Sequence, residues 1–361
     1  MKNLEFPIIG TKVKSLPAGR QGLNKKFDLE SPAGRKKYFE AKAGDEIKHI
    51  KRFLDKNTFI AYFLGKKNSG KGTYSKLFTE IFGEKKVVHV SVGDLVREAD
   101  DWKTFKKSEK FTRLERYYRG FVSFDSAVDA HLGRSTAKLL PTEFILALLK
   151  AHIDELQGKS IFIDGMPRET DQVSYSLYFR DLINYRDDRD LFILIDIPES
   201  VIEERMKYRV VCSKCQTSRN TKLLITSKVG FDKKTKEYYL VCDNQSCKGA
   251  RMKGKEGDEK GLAPIRGRLD RDEELIRTAF KLHGVPKILL RNHVPVKKAK
   301  TYFDDYEMTP EYIFKTDKNG KVKVSEKSWT VKDDNGVESY SLLAAPVMVS
   351  MFKQMVEVLH I

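Results

Sequence analysis

Residues 58–73 read TFIAYFLGKKNSGKGT, and this stretch decides the architecture. Residues 58–64 form a short apolar run rich in β-formers, bounded by polar residues, the pattern of a buried strand. Directly after it, the spacing Gly65-x4-Gly70-Lys71 fits a phosphate-binding loop (P-loop), with Gly72 standing before the hydroxyl residue Thr73. Glycines let backbone N–H groups approach phosphate oxygens with no Cβ in the way. The helix that starts here adds its positive dipole end, and Lys71 supplies a mobile charge for the β- and γ-phosphates. A chance Gly/Lys turn in a lysine-rich chain is the bland alternative. The strand before and the helical pattern after it supply the context that the motif requires.

Outward from this loop, residues 87–91, 160–163 and 191–197 are further short apolar runs. Helical stretches lie between them near 72–83, 142–156 and 199–208. Such alternation predicts an α/β fold, a three-layer P-loop NTPase sandwich around a central parallel sheet.

The 361 residues carry a net charge of +17, with 40% hydrophobic and 33% charged content. This describes a globular protein with a charged surface that attracts polyanions, phosphate-bearing small molecules and nucleic acid alike. No apolar run approaches the roughly 20 residues that a membrane span needs. Lys2 has no apolar region behind it, so a secretory signal is not expected and the expected location is cytoplasmic. All four cysteines, Cys212, Cys215, Cys242 and Cys247, fall in one short stretch, which in a reducing compartment favours metal over disulfides.

The first 57 residues read as a basic extension. Pro-Ala-Gly-Arg occurs twice, at 17–20 and 32–35; the first copy reads as a flexible loop. The second opens a helix, with Ser31 as N-cap and Pro32 at its first position. Phe39, Ile47, Ile50 and Leu54 recur at helical spacing and predict packing on the main body. The signals Asp317-Lys318-Asn319-Gly320 and Asp333-Asp334-Asn335-Gly336 predict β-hairpins, and a helix is expected from about 346 to 359.

Several motifs resemble those of adenylate kinases, within the nucleoside monophosphate kinases. Gly70-Lys71-Gly72-Thr73 matches the end of their loop, while Lys66 and Lys67 stand where prolines are common and Asn68 where glycine is usual. Asn tolerates a left-handed backbone better than other non-glycine residues. SVGDLVRE (residues 91–98) resembles the family's STGDxLR. IFIDGMPRETDQ (residues 161–172) is similar to its DGFPRxxxQ, and LLPTE (residues 139–143) to its KLVPDE segment. The resemblance implies a donor site of Gly65, Asn68, Ser69, Gly70, Lys71, Gly72, Thr73 and Arg205. It implies an AMP site of Ser91, Gly93, Asp94, Arg97, Leu140, Gly165, Arg168, Gln172 and Arg277. Arg97 would grip the acceptor phosphate, Arg168 would bridge both nucleotides, Gln172 would read the acceptor base, and Asp164 would lie near magnesium. Leu140 is equally well a core residue.

Asp196-Ile197-Pro198 resembles the family's DxP, and Arg205 and Arg209, four residues apart, share a helix face. Arg205 would stack on the donor adenine and Arg209 would reach phosphate. Past the cysteines, Arg268-Leu269-Asp270 resembles RxDD. The family's next arginine falls at Ala279 here, so Arg277 is the nearest substitute; pairing it with Arg266 restores the interval and loses the carboxylate. The cysteines, C-x2-C…C-x4-C, stand where the family carries a structural zinc site in its lid, usually with two C-x2-C pairs. Four thiolates complete a closed tetrahedral shell with no open position.

The implied organisation is an extension over 1–57, a kinase core over 58–208 and 266–361, and a zinc-stapled lid over 209–265. The core holds an acceptor insert near 92–157 and a hairpin insert near 300–342. The implied reaction is ATP plus AMP to two ADP with Mg²⁺, in a monomer without membrane attachment; catalysis rests on Lys71, Arg97, Arg168, Arg205, Arg209 and Arg268, with Asp164. Kinases preferring pyrimidines commonly carry Asn at the position of Gln172, so UMP or CMP is the runner-up acceptor. A nucleotide-regulated RNA- or ribosome-associated protein is the alternative from another class, motivated by the basic extension and by FKKSEKFTRLERYYRG (residues 105–120). Nucleic acid is not the expected partner, because charge runs are usually solvated faces.

Overall fold

A computed structural model describes residues 1–12, 26–133, 140–156, 158–168, 172–173, 189–255, 257–317 and 321–361. The 17–20 loop and the tip at 318–320 lie outside the described residues. Five parallel strands form the central sheet: β1 (Phe59–Gly65), β2 (Val87–Ser91), β3 (Ser160–Asp164), β4 (Arg189–Asp196) and β5 (Lys287–Arg291). Their order is β5-β4-β1-β3-β2. Every residue of β1 is buried, because it pairs with β3 on one side and β4 on the other.

Alternate β1 residues feed two cores. Ile60, Tyr62 and Leu64 join one with the helix Thr142–Ile153, and Phe59, Ala61 and Phe63 join the other with the helices Pro32–Leu54 and Ala344–Leu359. A period of two across a sheet with both faces covered produces this split. The fold is thus α/β, a parallel sheet between helical layers, as the alternating pattern predicts.

The helix Pro32–Leu54 begins where the residues predict, with the Ser31 hydroxyl accepting from Gly34 N at 3.1 Å. It packs on the helix Ala344–Leu359, its Phe39 ring 5.6 Å from that of Phe352. Residues 1–12 also depart from the picture of an appendage: Phe6 is buried against Phe280, and Thr11 donates to the buried Glu307 at 2.6 Å.

Most aromatic residues of the 100–133 segment pack on one another, while Phe121 is exposed. Trp102 lies 5.3 Å from Phe111, and Phe111 lies 6.0 Å from Phe124. Mutual packing, and not presentation to bases, accounts for that aromatic spacing. No helix among the described residues is long and apolar enough to cross a membrane.

The strands Pro310–Thr316 and Val322–Ser328 form one hairpin; Val331–Lys332 and Glu338–Ser341 pair around the second turn. The first hairpin reaches the cysteine unit. Tyr312 N donates to Lys222 O at 2.8 Å, and the rings of Tyr238 and Phe314 lie 5.4 Å apart.

Candidate functional site

The phosphate loop sits at the carboxyl end of β1, where open parallel sheets expose their ligand crevice. Two positions have left-handed backbone, Asn68 (φ 65°) and Gly70 (φ 105°), so Asn68 does what the glycine common in the resembled loop would do. A Cβ on Gly65 would come within 2.5 Å of Ser69 Oγ, and that contact is why no larger residue fits. Helix Lys71–Phe82 starts at Gly70 with no side-chain cap, leaving its first N–H groups for an external acceptor. Lys71 Nζ donates to Gly65 O at 2.7 Å and lies 3.7 Å from Asp164 at the end of β3. Those loop carbonyls are contacts that phosphate oxygens can replace. The buried Ser69 Oγ and Asn68 Nδ2 have no hydrogen-bond partner, as expected of a cradle built for a polar guest. Gly72 has open space around it and Thr73 is exposed.

Lys66 and Lys67 have opposite environments. Lys66 is buried, 2.9 Å from Glu199, 2.7 Å from Glu273 and 3.6 Å from Asp334. Burial works against its charge, but Glu273 and Glu199 more than offset this and its pKa stands above the usual value. An extra lysine here does not add to the phosphate attraction; it rivets the loop to two helices and the second hairpin turn. Replacing Lys66 by methionine removes the one cation shared by three carboxylates, leaving Glu199 to Arg266 and Glu273 to Arg277. The expected loss is about 2 kcal/mol in urea unfolding, below the roughly 3–5 kcal/mol of a fully buried pair because the acids keep some water. Unchanged stability would remove the rivet from this account.

Arg97 and Arg168 meet over Gly93. A Cβ placed there would lie 3.5 Å from a terminal nitrogen of each. Gly165 (φ 92°) likewise faces Arg168, whose nitrogen would come within 3.0 Å of a Cβ. Burial and then the Arg268 guanidinium push the Arg168 pKa down, and its Nε has no partner. A crowded, underpaired guanidinium is an anion site in waiting. Arg97, exposed, holds Asp94, and Ser91 caps its helix by accepting from Asp94 N.

Arg205 donates to Asn68 O at 3.2 Å and to Asn292 Oδ1 at 3.2 Å. Arg209 reaches Asn68 Oδ1 at 3.0 Å and grips Asp258 through two bonds of 2.5 and 2.6 Å. The sequence predicts both arginines on one helix face, but that helix ends at Lys207 and Arg209 opens the short strand Arg209–Val211, from which it still reaches the same loop residue as Arg205. Arg268 makes no ion pair among the described residues, and its closest charged company includes Arg168, Lys67 and Asp272.

Other expected residues lie elsewhere. Arg277 is taken up by Glu273 and by Lys2 O, both at 2.6 Å, because nine residues beyond Arg268 is about half a turn around the helix axis. Arg266 pairs with Glu199 at 2.6 Å. Asp270 points outward, and the carboxylate that faces the loop is Asp272, which accepts from Lys67 N at 3.0 Å. Its place one turn past Arg268 was the available signal. Burial raises the Asp272 pKa, opposed by Lys71 and Arg268. Gln172 is buried and spends its amide within the chain, accepting from Arg168 N at 2.8 Å and donating to Thr142 Oγ1 at 2.9 Å. Residues 169–171 of this motif lie outside the described residues, and Leu140 is core. His89, in the middle of β2, lies 4.0 Å from Asp164 and was not singled out by any motif; burial lowers its pKa.

The four cysteine sulfurs lie within 4.8 Å of one another, with Cys215 and Cys242 at 3.6 Å. Tetrahedral coordination at 2.3 Å per thiolate sets sulfurs about 3.8 Å apart, so the set fits a metal. The wider second pair closes through a short 3-10 turn, Gln245–Cys247, capped by Asn244. Thr217 lowers the Cys215 pKa to about 6, whereas burial and the neighbouring sulfurs push Cys247 up to about 12. Crowded thiols of this kind cannot all ionise without a cation among them.

No family model matches the chain. An adenylate kinase of Clostridium tetani is 29% identical over 162 residues, 45% of this chain and 63% of that protein. An adenylate kinase of Clostridium acetobutylicum is 31% identical over 156 residues, covering 43% and 61%. The mitochondrial GTP:AMP phosphotransferase of Drosophila melanogaster is 28% identical over 151 residues, covering 42% and 56%. The chain thus spans about three fifths of the length of the curated relatives it matches. Loop, paired arginines and relatives agree, and the chain contains an adenylate kinase-like region.

Proposed function

We propose that this protein is a nucleoside monophosphate kinase that transfers the terminal phosphoryl group of ATP to AMP, giving two ADP. The convergence of Arg97 and Arg168 over Gly93, beside the loop that holds Lys71, supports this reading best. Two guanidinium forks suit a monophosphate, and the loop suits a triphosphate.

The acceptor phosphate has a second pKa near 6, is largely dianionic at neutral pH and needs no general base. Catalysis is positioning and charge neutralisation. Lys71 leaves the loop carbonyls for the donor phosphates. Arg168 and Arg268 hold the group between donor and acceptor, and Arg205 and Arg209 hold the donor from the other side. Closure of the segment bearing Arg209 excludes water, which otherwise competes as acceptor. Magnesium neutralises the donor phosphates when bound, and Asp164 is the oxygen ligand on hand to anchor it and its waters. Zinc suits the four thiolates and serves structure alone.

A coupled assay with AMP, UMP and CMP, each with ATP or GTP as donor, tests the reading. GTP is included because the Drosophila relative is named for it. AMP is expected to be the fastest acceptor. A faster pyrimidine nucleotide transfers the reading to the UMP/CMP class, and no transfer to any acceptor ends it.

A further inference from the structure

The lysine beside the rivet has no such partners. Lys67 is half-buried, and among the described residues its ammonium makes no hydrogen bond or ion pair. Its backbone is fixed by the bond from its N–H to Asp272 at 3.0 Å, and the next residue, Asn68, is held by Arg205 and Arg209. Its strongest charged neighbours are three cations, Arg268, Arg209 and Lys255, ahead of the carboxylate of Asp258. Folding has therefore placed a positive group beside three cations, with Asp258, already gripped by Arg209, as the weaker opposing charge. Such an arrangement is unfavourable by itself and becomes favourable when a polyanion enters.

The position also says which part of the anion it meets. Arg268 stands with Arg168 and, through it, with Arg97, on the side where a monophosphate fits. Arg209 stands with Arg205 on the donor side of the loop. Lys67 lies where these two groups of cations adjoin.

We propose that Lys67 is a further binding residue for the phosphoryl group in transfer, contacting the terminal phosphate of the donor triphosphate from the loop itself. This rests on the phosphotransferase reading above. It adds a residue that the family resemblance does not supply, since that position commonly holds proline. The contact favours a triphosphate over a diphosphate, because the diphosphate lacks the group that Lys67 meets.

The test is titration calorimetry of ATP and ADP on the full chain, with Lys67→Met and Lys67→Arg compared with the unaltered protein and with Lys66→Met. Lys67→Met is expected to weaken ATP about tenfold, the loss of one charge-assisted phosphate contact, and ADP by less than about twofold. Lys67→Arg restores most of the difference. The melting temperature of Lys67→Met stays level or rises, since a repelled cation is gone, whereas that of Lys66→Met falls. An unchanged ATP-to-ADP affinity ratio overturns the proposal, as does a melting loss equal to that of Lys66→Met. Absence of phosphoryl transfer to AMP defeats the proposed reaction alone, because the affinity ratio still decides the role of Lys67. Failure of the unaltered protein to bind ATP defeats both.

Discussion

Lys71→Met is expected to lower kcat by about 10²–10³-fold, the usual cost of removing one preorganised group that faces developing transition-state charge. The structure explains why the loss falls on rate and not on folding. Lys71 is bonded to Gly65 O and Lys66 O and stands 3.7 Å from Asp164, so its charge is held at the loop by weak, replaceable contacts. Methionine keeps most of the stem volume, so the loop and the helix Lys71–Phe82 keep their packing. The KM for the donor is expected to rise less than kcat falls, because the charge meets phosphates whose negative character grows during transfer. Steady-state kinetics with a melting curve on the same sample checks this. A variant with full kcat would show that the loop does not act on phosphate.

Removing the metal site is expected to have the second largest effect. Cys247→Ser should abolish binding of an equivalent of zinc and speed hydrogen exchange over residues 209–254 by on the order of 10³-fold, because in so small a unit metal binding is folding free energy. Among the described residues, the core around the cysteines is the cluster of Leu240 and Met252 with Cys212, Cys242 and Cys247, which is too small to hold the unit without a staple. The central sheet should keep its protection, since its two cores share no residue with this cluster. Hydrogen exchange by mass spectrometry with metal analysis is the measurement. Full protection in a zinc-free sample would mean that the hairpin contacts at Lys222 and Tyr238 suffice on their own.

Much of the site was legible because its parts are short and local. The strand, the glycine spacing and the helix after it lie within one continuous stretch, and backbone sterics alone make Asn68 an acceptable left-handed residue. Arg205, near the end of its helix, and Arg209, at the start of the strand that follows, lie within one short stretch, so their shared target needs little long-range knowledge. The paired cysteines announce a four-thiol cluster by type and spacing, and a short turn absorbs the two extra residues of the second pair.

The rest depended on what lies across the fold. Lys66 and Lys67 are chemically identical neighbours, and nothing local tells which meets Glu199, Glu273 and Asp334 and which meets other cations. Gln172 bears the residue type of a base reader, yet its amide bonds Arg168 and Thr142. Residues 1–12 read as a free arm because the partners that bury Phe6 and Thr11, Phe280 and Glu307, come from the far end of the chain.

Sequence by itself thus determined the α/β class, the strand–glycine loop–helix stretch and the clustering of the cysteines, because these follow from short-range geometry and residue chemistry. Tertiary structure alone decided the fate of each loop lysine, the substitution of Asp272 for Asp270, the diversion of Arg277 and the tie between hairpin and cysteine unit. Those outcomes turn on which distant charges and apolar surfaces the chain brings within a few ångströms, and no local pattern encodes that.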